Sequence, residues 1–437
     1  MFESILYDDL IREIKNKTST FICGNGFSIN FDERYSPSNL MSSLYSIHCH
    51  IKNFQYYNIA NGFRYRTEKL TNYKNAKQIT DNINTSVEFE SFFYDAVIFA
   101  NSIVKNDKVI EWLNRNNYNT ILTFGLQQLD FVKKIVLQAN LGSALSVNYE
   151  YWSVLIYYVL ALRKAPDEIY QFDYKNKFVS AVLASNTDSK TNEEFNRTAL
   201  LLKVANNGVY TYLRLLFSSN IILNGDSLNV RQLKRWNSYD ISKIKEFFLC
   251  FNYLMTTNYD LLLEKITSKN IYHLHGSFSR NPKRVLYESL GVIYNAKKYD
   301  LSTIVIGDYF LAKSFYQVAA KVASNNKINT KIDAYDDMMK EAIRIGNTDV
   351  VVVFGLGIDN DYHILRSIQI EMVQNKCNNP NIIYCYYSDQ DRNDFINLYK
   401  KCITYSPELS NHILDKVSVS IIDSKEIIKN LFVSTEK

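Results

Sequence analysis

Three short motifs in the sequence contain residue types that can do chemistry. The first, Gly24-Asn25-Gly26-Phe27-Ser28, is a glycine turn that allows a phosphate group to approach the backbone. The second, Thr256-Thr257-Asn258-Tyr259-Asp260, offers an amide and a carboxylate to the hydroxyl or amide groups of a ligand. The third, His273-Leu274-His275-Gly276-Ser277, supplies histidine, which is suited to acid–base catalysis near neutral pH.

A short apolar run precedes each motif, and two further runs of the same kind end at a glycine. Such runs predict strands, because apolar and β-branched residues bounded by glycine or polar residues favour extended backbone. In a parallel sheet the carboxyl ends of the strands lie at one edge, where ligands bind. The predicted strands are Ser19–Cys23, Phe248–Met255, Ile271–Leu274, Ser302–Ile306 and Asp349–Phe354, and the residues expected to face one crevice at that edge are Gly24, Thr256, His275, Gly307 and Gly355.

Predicted strands and helices alternate in the C-terminal part of the sequence, which indicates a parallel α/β sheet. The run Val350-Val351-Val352-Val353-Phe354 is continuous and β-branched, as expected of a central strand covered on both faces. Further strands are predicted at Asn381–Tyr387 and Val417–Ile422, and helices at Phe2–Lys15, Tyr309–Ala323, Asp333–Ile345, Asp361–Val373 and Asp391–Lys400.

The middle of the chain has helical periodicity instead, with polar connections. We therefore expect residues 1–35 and 245–437 to form a Rossmann-like nucleotide-binding domain, and residues 36–244 to form a large all-helical insertion. The helical segments predicted in the insertion are Asn39–Ile51, Val87–Val104, Lys108–Asn114, Leu126–Leu137, Tyr149–Leu162, Glu194–Val204 and Val209–Phe217.

Composition narrows the class of protein. The chain has 437 residues and a net charge of +5, and its basic residues form no stripe, so direct binding of nucleic acid is not expected. Its six cysteines form no C-x-x-C pair, and free thiols fit a reducing cytoplasm. The acidic residues in Met1–Leu10 are unlike a secretory signal, and the apolar segment Tyr151–Leu162 is too short to span a bilayer. We expect a cytoplasmic protein that binds no membrane.

Each motif also has a structural interpretation. A full dinucleotide fingerprint has a glycine where Ile29 stands, so an ordinary dehydrogenase is disfavoured. Thr256–Asp260 can begin a helix, with a capping side chain and an acidic first turn, and Asp361 can cap a helix in the same way. These segments can both cap a helix and face the crevice.

The two histidines of the third motif alternate along a predicted strand, so His273 and His275 are expected to point the same way. Nothing else nearby completes a metal site, and we expect no metal. A buried structural histidine remains the alternative. His275, which is followed by Gly276-Ser277 at a strand end, is the better candidate for a reactive group.

Together these motifs resemble the sirtuin-type NAD-binding fold, in its distant bacterial branch of sirtuin-like NAD hydrolases from anti-phage defence. Sirtuins carry G-A-G-x-S, T-Q-N-I-D, H-G-S and G-T-S in this order, and here Gly24–Ser28, Thr256–Asp260, His275–Ser277 and Gly355–Gly357 stand in their places. The resemblance covers residues 1–35 and 245–437. Abortive-infection proteins that begin with G-N-G-F resemble the chain as well.

Three departures from the sirtuin pattern bear on the reaction. Thr257 replaces the sirtuin glutamine, and Ile29-Asn30-Phe31-Asp32 stands where sirtuins carry P-D-F-R. No paired cysteines for a structural zinc follow His275. These differences argue against protein deacetylation and are compatible with binding and cleavage of NAD.

The resemblance implies hydrolysis of NAD to nicotinamide and ADP-ribose by a regulated abortive-infection effector. It implies that Asp260 binds the nicotinamide amide, that Asn258 orients the ribose or the attacking water, and that His275 is the general base. The residues expected to contact NAD are Gly24, Asn25, Gly26, Phe27, Ser28, Asp32, Thr256, Thr257, Gly276, Ser277, Gly355, Leu356, Gly357 and Asp361.

The resemblance also implies control by assembly, either as a homo-oligomer or with a defence partner such as a hexameric ATPase. Three alternatives remain open. The pocket can sense NAD or ADP-ribose without cleaving it, the protein can be an NAD-dependent protein deacylase, or it can be an effector that binds nucleic acid through its mild basic excess.

Overall fold

The structure is a computed structural model of the chain. It describes residues 2–53, 58–61, 67–122, 125–185, 197–222, 226–278, 290–294, 297–301, 304, 306–311, 335–358, 360–377, 379–405 and 416–433. The chain divides into two compact units. The first, the sheet unit, comprises Met1–Ser36, Gly225–Ser277 and Asp333–Lys437, and the second, the helical unit, comprises Pro37–Asn224 and Phe278–Ile332.

Ten strands are described, and seven of them form one parallel sheet in the sheet unit. Its order is β1-β10-β9-β8-β2-β4-β5. Strand β8 is central and buried along its whole length, as its β-branched run predicts. The strands are β1 Phe2–Ser4, β2 Ser19–Cys23, β3 Asn58–Asn61, β4 Tyr253–Thr256, β5 Tyr272–His273, β6 Leu290–Tyr294, β7 Lys297–Asp300, β8 Val350–Phe354, β9 Asn381–Tyr386 and β10 Ser418–Asp423.

Helices connect these strands, and the expectation of a Rossmann-like parallel α/β sheet is confirmed at that level. The helix Tyr335–Met339 continues as a π-helical segment, Lys340–Ile345, which ends at Gly346. The α-helices of the sheet unit are Tyr7–Asn16, Asn25–Ser28, Ile241–Leu249, Leu262–Thr267, Tyr335–Met339, Tyr362–Gln374, Asp389–Tyr405 and Ser424–Leu431, with short 3₁₀ turns at Glu33–Tyr35, Val230–Gln232 and Trp236–Ser238.

Two predictions in this unit are wrong in part. Residues Phe2–Ser4 form an edge strand rather than the first turn of a helix, because they pair in parallel with Val419–Ile421. The predicted strand Phe248–Met255 begins only at Tyr253, and Phe248 belongs to the preceding helix. Short apolar runs are compatible with either structure, and helix packing against Phe21 decides this one.

The order in which the chain adds strands to the sheet reverses between β2 and β8, although all seven strands are parallel. From β2 the chain continues to β4 and β5 on one side, whereas β8, β9 and β10 follow on the other side. In open α/β sheets such a switch point opens a crevice at the carboxyl ends of the strands, and ligands bind there. Gly24 and Gly355 directly follow these two strands.

The helical unit has a core of its own, built around one fully buried helix. Every residue of helix Trp152–Leu162 is buried, which accounts for its uninterrupted apolar sequence. Within the described residues, no helix is both long and apolar enough to span a bilayer. The α-helices are Pro37–Asn53, Thr67–Asn82, Ser86–Val104, Asp107–Arg115, Gln128–Leu141, Trp152–Leu162, Lys177–Ala184, Arg197–Ala205, Gly208–Ile221 and Asp308–Leu311, with 3₁₀ turns at Ala144–Ser146 and Tyr149–Tyr151.

This unit is mainly helical rather than all-helical. Strand β3 pairs with β6, and β6 with β7, in a small antiparallel sheet. Residues 278–332 therefore pack with the helical unit, whereas the expected boundaries placed them with the nucleotide-binding domain. The buried Arg214 guanidinium reinforces this grouping by donating to the carbonyls of Leu301 and Ile304.

Of the expected strand at Ser302–Ile306, only Ile304 and Ile306 are among the described residues. Both lie outside any described strand, and they belong to the helical unit. Gly307 has a φ of +66°, and a Cβ there would lie 2.1 Å from the carbonyl oxygen of Glu150. This glycine is therefore required by packing in the helical unit, and it does not follow a strand of the parallel sheet as expected.

Candidate functional site

Two glycine loops meet at the switch point of the sheet. A Cβ added to Gly24 would lie 2.6 Å from the Gly355 carbonyl oxygen, and one added to Gly26 would lie 2.6 Å from the Gly355 Cα. The Gly24 amide donates to Phe354 and the Gly26 amide to Gly355, each at 3.0 Å. The loops need glycine to approach each other, and these two N–H groups are already hydrogen-bonded within the chain.

Behind the loops lies a buried network, formed by the side chains of Ser28, Asn258 and Asp260. The Asn258 Nδ2 donates to the Gly24 carbonyl at 3.0 Å and to Ser28 Oγ at 2.9 Å. Ser28 Oγ in turn donates to Asp260 Oδ2 at 2.7 Å, and the Leu262 amide donates to Asp260 Oδ1 at 2.9 Å. Burial, the largest effect, raises the pKa of Asp260 against the opposing hydrogen bonds.

The network fixes the second motif to the first. Asp260 accepts hydrogen bonds from Ser28 in the glycine turn and from the amide of Leu262, the first residue of helix Leu262–Thr267. The N-cap of this helix is Leu261, which has no capping side-chain hydrogen bond, so the prediction of a capping side chain with an acidic residue of this motif in the first turn is wrong in part. Within the described part of the chain, no group donates to the Asn258 Oδ1. That oxygen is the atom of the network left to accept a hydrogen bond from a ligand.

Thr256 and Thr257 join the ends of β2 and β4. Thr256 Oγ1 donates to the Cys23 carbonyl at 3.1 Å and accepts from the Asn258 amide at 3.0 Å. The Thr257 amide donates to the same Cys23 carbonyl. Both threonines are buried. Their hydrogen bonds to the Cys23 carbonyl and the Asn258 amide hold Asn258 at the end of β4.

His273 is the last residue of β5 and has two close acceptors. Its Nδ1 lies 2.8 Å from the Asn258 carbonyl oxygen, and its Nε2 lies 2.6 Å from Glu264 Oε1. Burial alone lowers the pKa of His273, but the hydrogen bond and charge of Glu264 outweigh it and raise the pKa above its ordinary value. Both ring nitrogens face acceptors, so protonated His273 donates to both and fixes the backbone of Asn258.

His275 lies beyond the strand, next to Gly276 with a φ of +85°. The sequence predicted that His273 and His275 alternate along one strand and point the same way. This prediction is wrong, because His275 lies outside the strand and contacts different partners. Its Nε2 lies 3.3 Å from the His363 Nε2 and 3.8 Å from the Asp361 Oδ1. Burial lowers the pKa of His275 from 6.5 to about 4, and burial together with His275 lowers that of His363 well below its ordinary value.

We call His275, Asp361 and His363 the histidine cluster. His275 follows the edge strand β5, whereas Asp361 and His363 stand at the start of the helix after β8. Strands β2 and β4 separate β5 from β8 in the sheet. The cluster therefore brings together side chains from both sides of the switch point, at the edge where the glycine turn and Asn258 lie.

The predicted NAD contacts fall into two groups by exposure. Some are partly or fully exposed, while others are buried and contribute to packing, such as Phe27 against Phe31 and Phe248. The exposed group contains Asn25, Gly26, His275, Gly276, Ser277, Gly355, Gly357 and Asp361, and the buried group contains Gly24, Phe27, Ser28, Asp32, Thr256, Thr257, Asn258, Asp260 and Leu356. A ligand at this edge first meets the exposed group.

Asp32 belongs to the buried group and already has several partners. Its carboxylate accepts from the Arg34 amide at 3.0 Å, from the Arg34 guanidinium at 2.6 Å, and from the Lys234 amide at 3.2 Å. Arg34 also pairs with Asp226. The structure therefore gives this carboxylate a role in holding the loop after the glycine turn. Its predicted contact with NAD stays a prediction.

Sequence reasoning left two residues of the site without a role. His363 was visible as the second member of an Asp-x-His pair at a helix start, and Glu264 as an acidic residue in the first turn of a helix. Neither pattern indicates which residue is the partner. The partner of His363, for example, is His275, which lies 88 residues away in sequence.

No protein family that we compared with the chain matches it, and neither does any curated protein or solved structure. The sirtuin-like resemblance therefore depends on the four sequence motifs alone.

Proposed function

We propose that the protein is a sirtuin-like NAD hydrolase that releases nicotinamide and ADP-ribose. One observation carries the proposal: the glycine turn and Asn258, which follow β2 and β4, are hydrogen-bonded to each other at the switch point of a parallel sheet, and His275, which follows β5, contacts His363 and Asp361 after β8 at the same edge. Dinucleotides bind at this position in α/β folds. The order of the motifs along the chain adds the sirtuin-like character.

The reaction breaks the bond between nicotinamide and ribose through an oxocarbenium-like transition state. Water then forms the new bond to the anomeric carbon and loses a proton. We assign this proton to the Nε2 of His275, which is neutral at pH 7 because burial lowers its pKa. The Asn258 Oδ1 orients the ribose or the water, and Asp361 supports the imidazolium that forms.

The buried network keeps Asn258 in place during this step. Asp260 acts mainly by holding Ser28 and the glycine turn. Each carboxylate oxygen can accept more than one hydrogen bond, so a direct contact with the nicotinamide amide stays a prediction. Gly357 has open space around its Cα, and it allows the adenosine half of NAD to approach the backbone.

An unregulated NAD hydrolase would deplete its host, so we place this activity in an anti-phage effector that is inactive at rest. The helical unit is the proposed surface for self-assembly or for a partner such as a hexameric ATPase. Comparing NAD turnover of the purified chain across protein concentrations, with and without phage-infected extract, tests this control.

The central test measures free nicotinamide and ADP-ribose after incubation of the purified protein with NAD. We expect turnover by the wild type under the activating conditions of protein concentration or phage-infected extract, and a large loss in both His275→Ala and Asn258→Ala under the same conditions. Undiminished turnover in either variant refutes the role given to that residue. Thermal stabilisation by NAD with no product under any condition would instead favour a sensor of NAD or ADP-ribose. If the protein neither binds nor cleaves NAD under any of these conditions, the proposal is refuted.

A further inference from the structure

The histidine cluster has the composition of a metal site. Two imidazole nitrogens and one carboxylate oxygen, from His275, Asp361 and His363, all lie within 4.8 Å of one another. Among the described residues, this is the one group of three or more histidine, cysteine or acidic side chains with such spacing. Two imidazoles and a carboxylate are the protein ligands of many catalytic zinc sites and of non-haem iron sites.

The distances fit one small ion. Two donor atoms that a tetrahedral zinc ion holds at about 2.0–2.1 Å are about 3.3 Å apart. The two Nε2 atoms of the cluster are 3.3 Å apart, and the Asp361 Oδ1 lies 3.8 Å from the nearer one. The three donor atoms lie within 4.8 Å of one another, so the Asp361 carboxylate has to move closer to the two imidazoles for one ion to bind all three.

Access to the cluster is also suitable. The side chains of His275 and Asp361 are 13% and 15% exposed, so an ion can enter from solvent and keep a water ligand. Catalytic zinc sites leave one coordination position open in this way, whereas structural sites are closed by a fourth side chain. In the absence of an ion, a hydrogen bond between the two imidazoles explains the 3.3 Å distance equally well, and only a binding measurement separates the two explanations.

We propose that His275, Asp361 and His363 bind one divalent transition-metal ion of the zinc class, with a water molecule in the remaining position. The consequence for catalysis rests on the proposed function. The Nε2 lone pair of His275 cannot hold an ion and accept a proton at the same time. Zinc bound here therefore inhibits NAD cleavage, and the cluster is a metal-responsive control point of the same site.

The first experiment measures binding without reference to activity. The full chain is stripped with a chelator and titrated with Zn²⁺ by calorimetry, and with Co²⁺ by its visible absorption. We expect one ion per chain and an affinity lower by more than about 100-fold in His363→Ala, because removal of even an outer-shell partner commonly costs 10- to 100-fold. Asp361→Asn, which preserves side-chain size, should also weaken binding. His50→Ala, which removes a histidine of helix Pro37–Asn53, should leave it unchanged.

Zinc that fails to bind the wild type, or that binds His363→Ala as tightly, overturns the metal site. The second experiment adds Zn²⁺ during NAD turnover, with the half-inhibiting concentration as the readout. We expect it to rise more than about 100-fold in His363→Ala, whatever the activity of that variant without zinc. Stimulation by zinc, or equal inhibition of both proteins, overturns the inhibitory role. If the wild type cleaves no NAD, the proposed function fails while the first experiment still decides the metal site.

Discussion

Two groups of polar side chains occupy the same edge of the sheet, and they use their hydrogen bonds differently. In the buried network, Ser28, Asn258 and Asp260 are linked to each other and to backbone groups at distances of 2.7–3.0 Å. In the histidine cluster the distances from His275 are 3.3 and 3.8 Å, and two of the side chains are partly exposed.

This difference assigns different work to the two groups. A buried group with short hydrogen bonds inside the protein stabilises the fold, because breaking it leaves polar atoms without water or partners. A partly exposed group with long contacts can exchange them for contacts with a ligand at little cost. Substitutions should therefore separate stability from chemistry. Those at Ser28 and Asp260 should affect mainly stability and those in the histidine cluster mainly chemistry, whereas Asn258, to whose Oδ1 we assign a ligand contact, should affect both.

His275→Ala provides the largest expected effect. Removal of a general base typically lowers the rate by about 100- to 10,000-fold, and we expect NAD turnover to fall within this range. The unfolding free energy should fall by less than about 1.5 kcal/mol, because only one long hydrogen bond is lost. Initial rates of nicotinamide release and urea unfolding measure the two quantities on the same preparation. A variant that unfolds in proportion to its lost activity would place His275 with the buried network instead.

Gly355→Ala tests the meeting of the two glycine loops. Gly355 has a φ of +61°, and its Cβ would lie 2.7 Å from the Gly26 Cα. Left-handed strain and overpacking together should reduce the unfolding free energy by about 2–4 kcal/mol, which chemical denaturation would measure.

The matched control is Gly357→Ala in the same loop. Gly357 has no neighbouring atom closer than 3.9 Å to a built Cβ. We expect its unfolding free energy to stay within about 0.5 kcal/mol of the wild type, with weaker NAD binding. Equal destabilisation by both alanines would mean that the loop, rather than the contact with Gly26, sets the stability.

The sequence was sufficient for the parts of this site that depend on strand ends. The β-branched run of Val350–Phe354 and the apolar run Ser19–Cys23 before the glycine turn predict two strands, and parallel strands bring their carboxyl ends to one edge. That the two strands are neighbours is known only from the structure. The edge strands were harder. Phe2–Ser4 has only three residues, too few for an alternating pattern, so the amphipathic helix that follows dominated the interpretation.

Side-chain direction in the loops could not be predicted. Ser28, Asn258 and Asp260 all looked available for NAD, yet the first and last bond to each other across 232 residues of sequence. The same is true of His363, whose contact with His275 depends on a helix start that reaches across two intervening strands. Sequence patterns give the period of an element, whereas loop side chains follow backbone dihedrals that only the folded chain fixes.

Ser28→Ala examines the buried network by itself. It removes the hydroxyl that accepts from Asn258 and donates to Asp260, so two buried polar groups each lose a partner. We expect a loss of about 1–3 kcal/mol in unfolding free energy, measured by urea denaturation. Ser242→Ala is the matched control, since Ser242 also donates to a carboxylate, that of Asp240, but at an exposed position. Its cost should stay below about 0.5 kcal/mol.

Asp32→Asn should give the smallest effect, and the way to recognise it is its dependence on pH. Burial raises the pKa of Asp32, but the hydrogen bonds and charge of Arg34 with the Lys234 amide outweigh it and lower the pKa below 3.8. A lowered folded-state pKa means that the carboxylate stabilises the fold above its unfolded pKa and that this stabilisation is lost as the pH falls through the folded value. The stability advantage of the wild type over Asp32→Asn should therefore be constant at neutral pH and shrink below about pH 4.

Urea unfolding of both proteins between neutral pH and about pH 3 measures that difference. Glu246→Gln, which alters an exposed carboxylate in helix Ile241–Leu249, should show little change over the same range because solvent screens an exposed charge. If the difference for Asp32→Asn stays flat as well, the Asp32–Arg34 pair contributes no net stability.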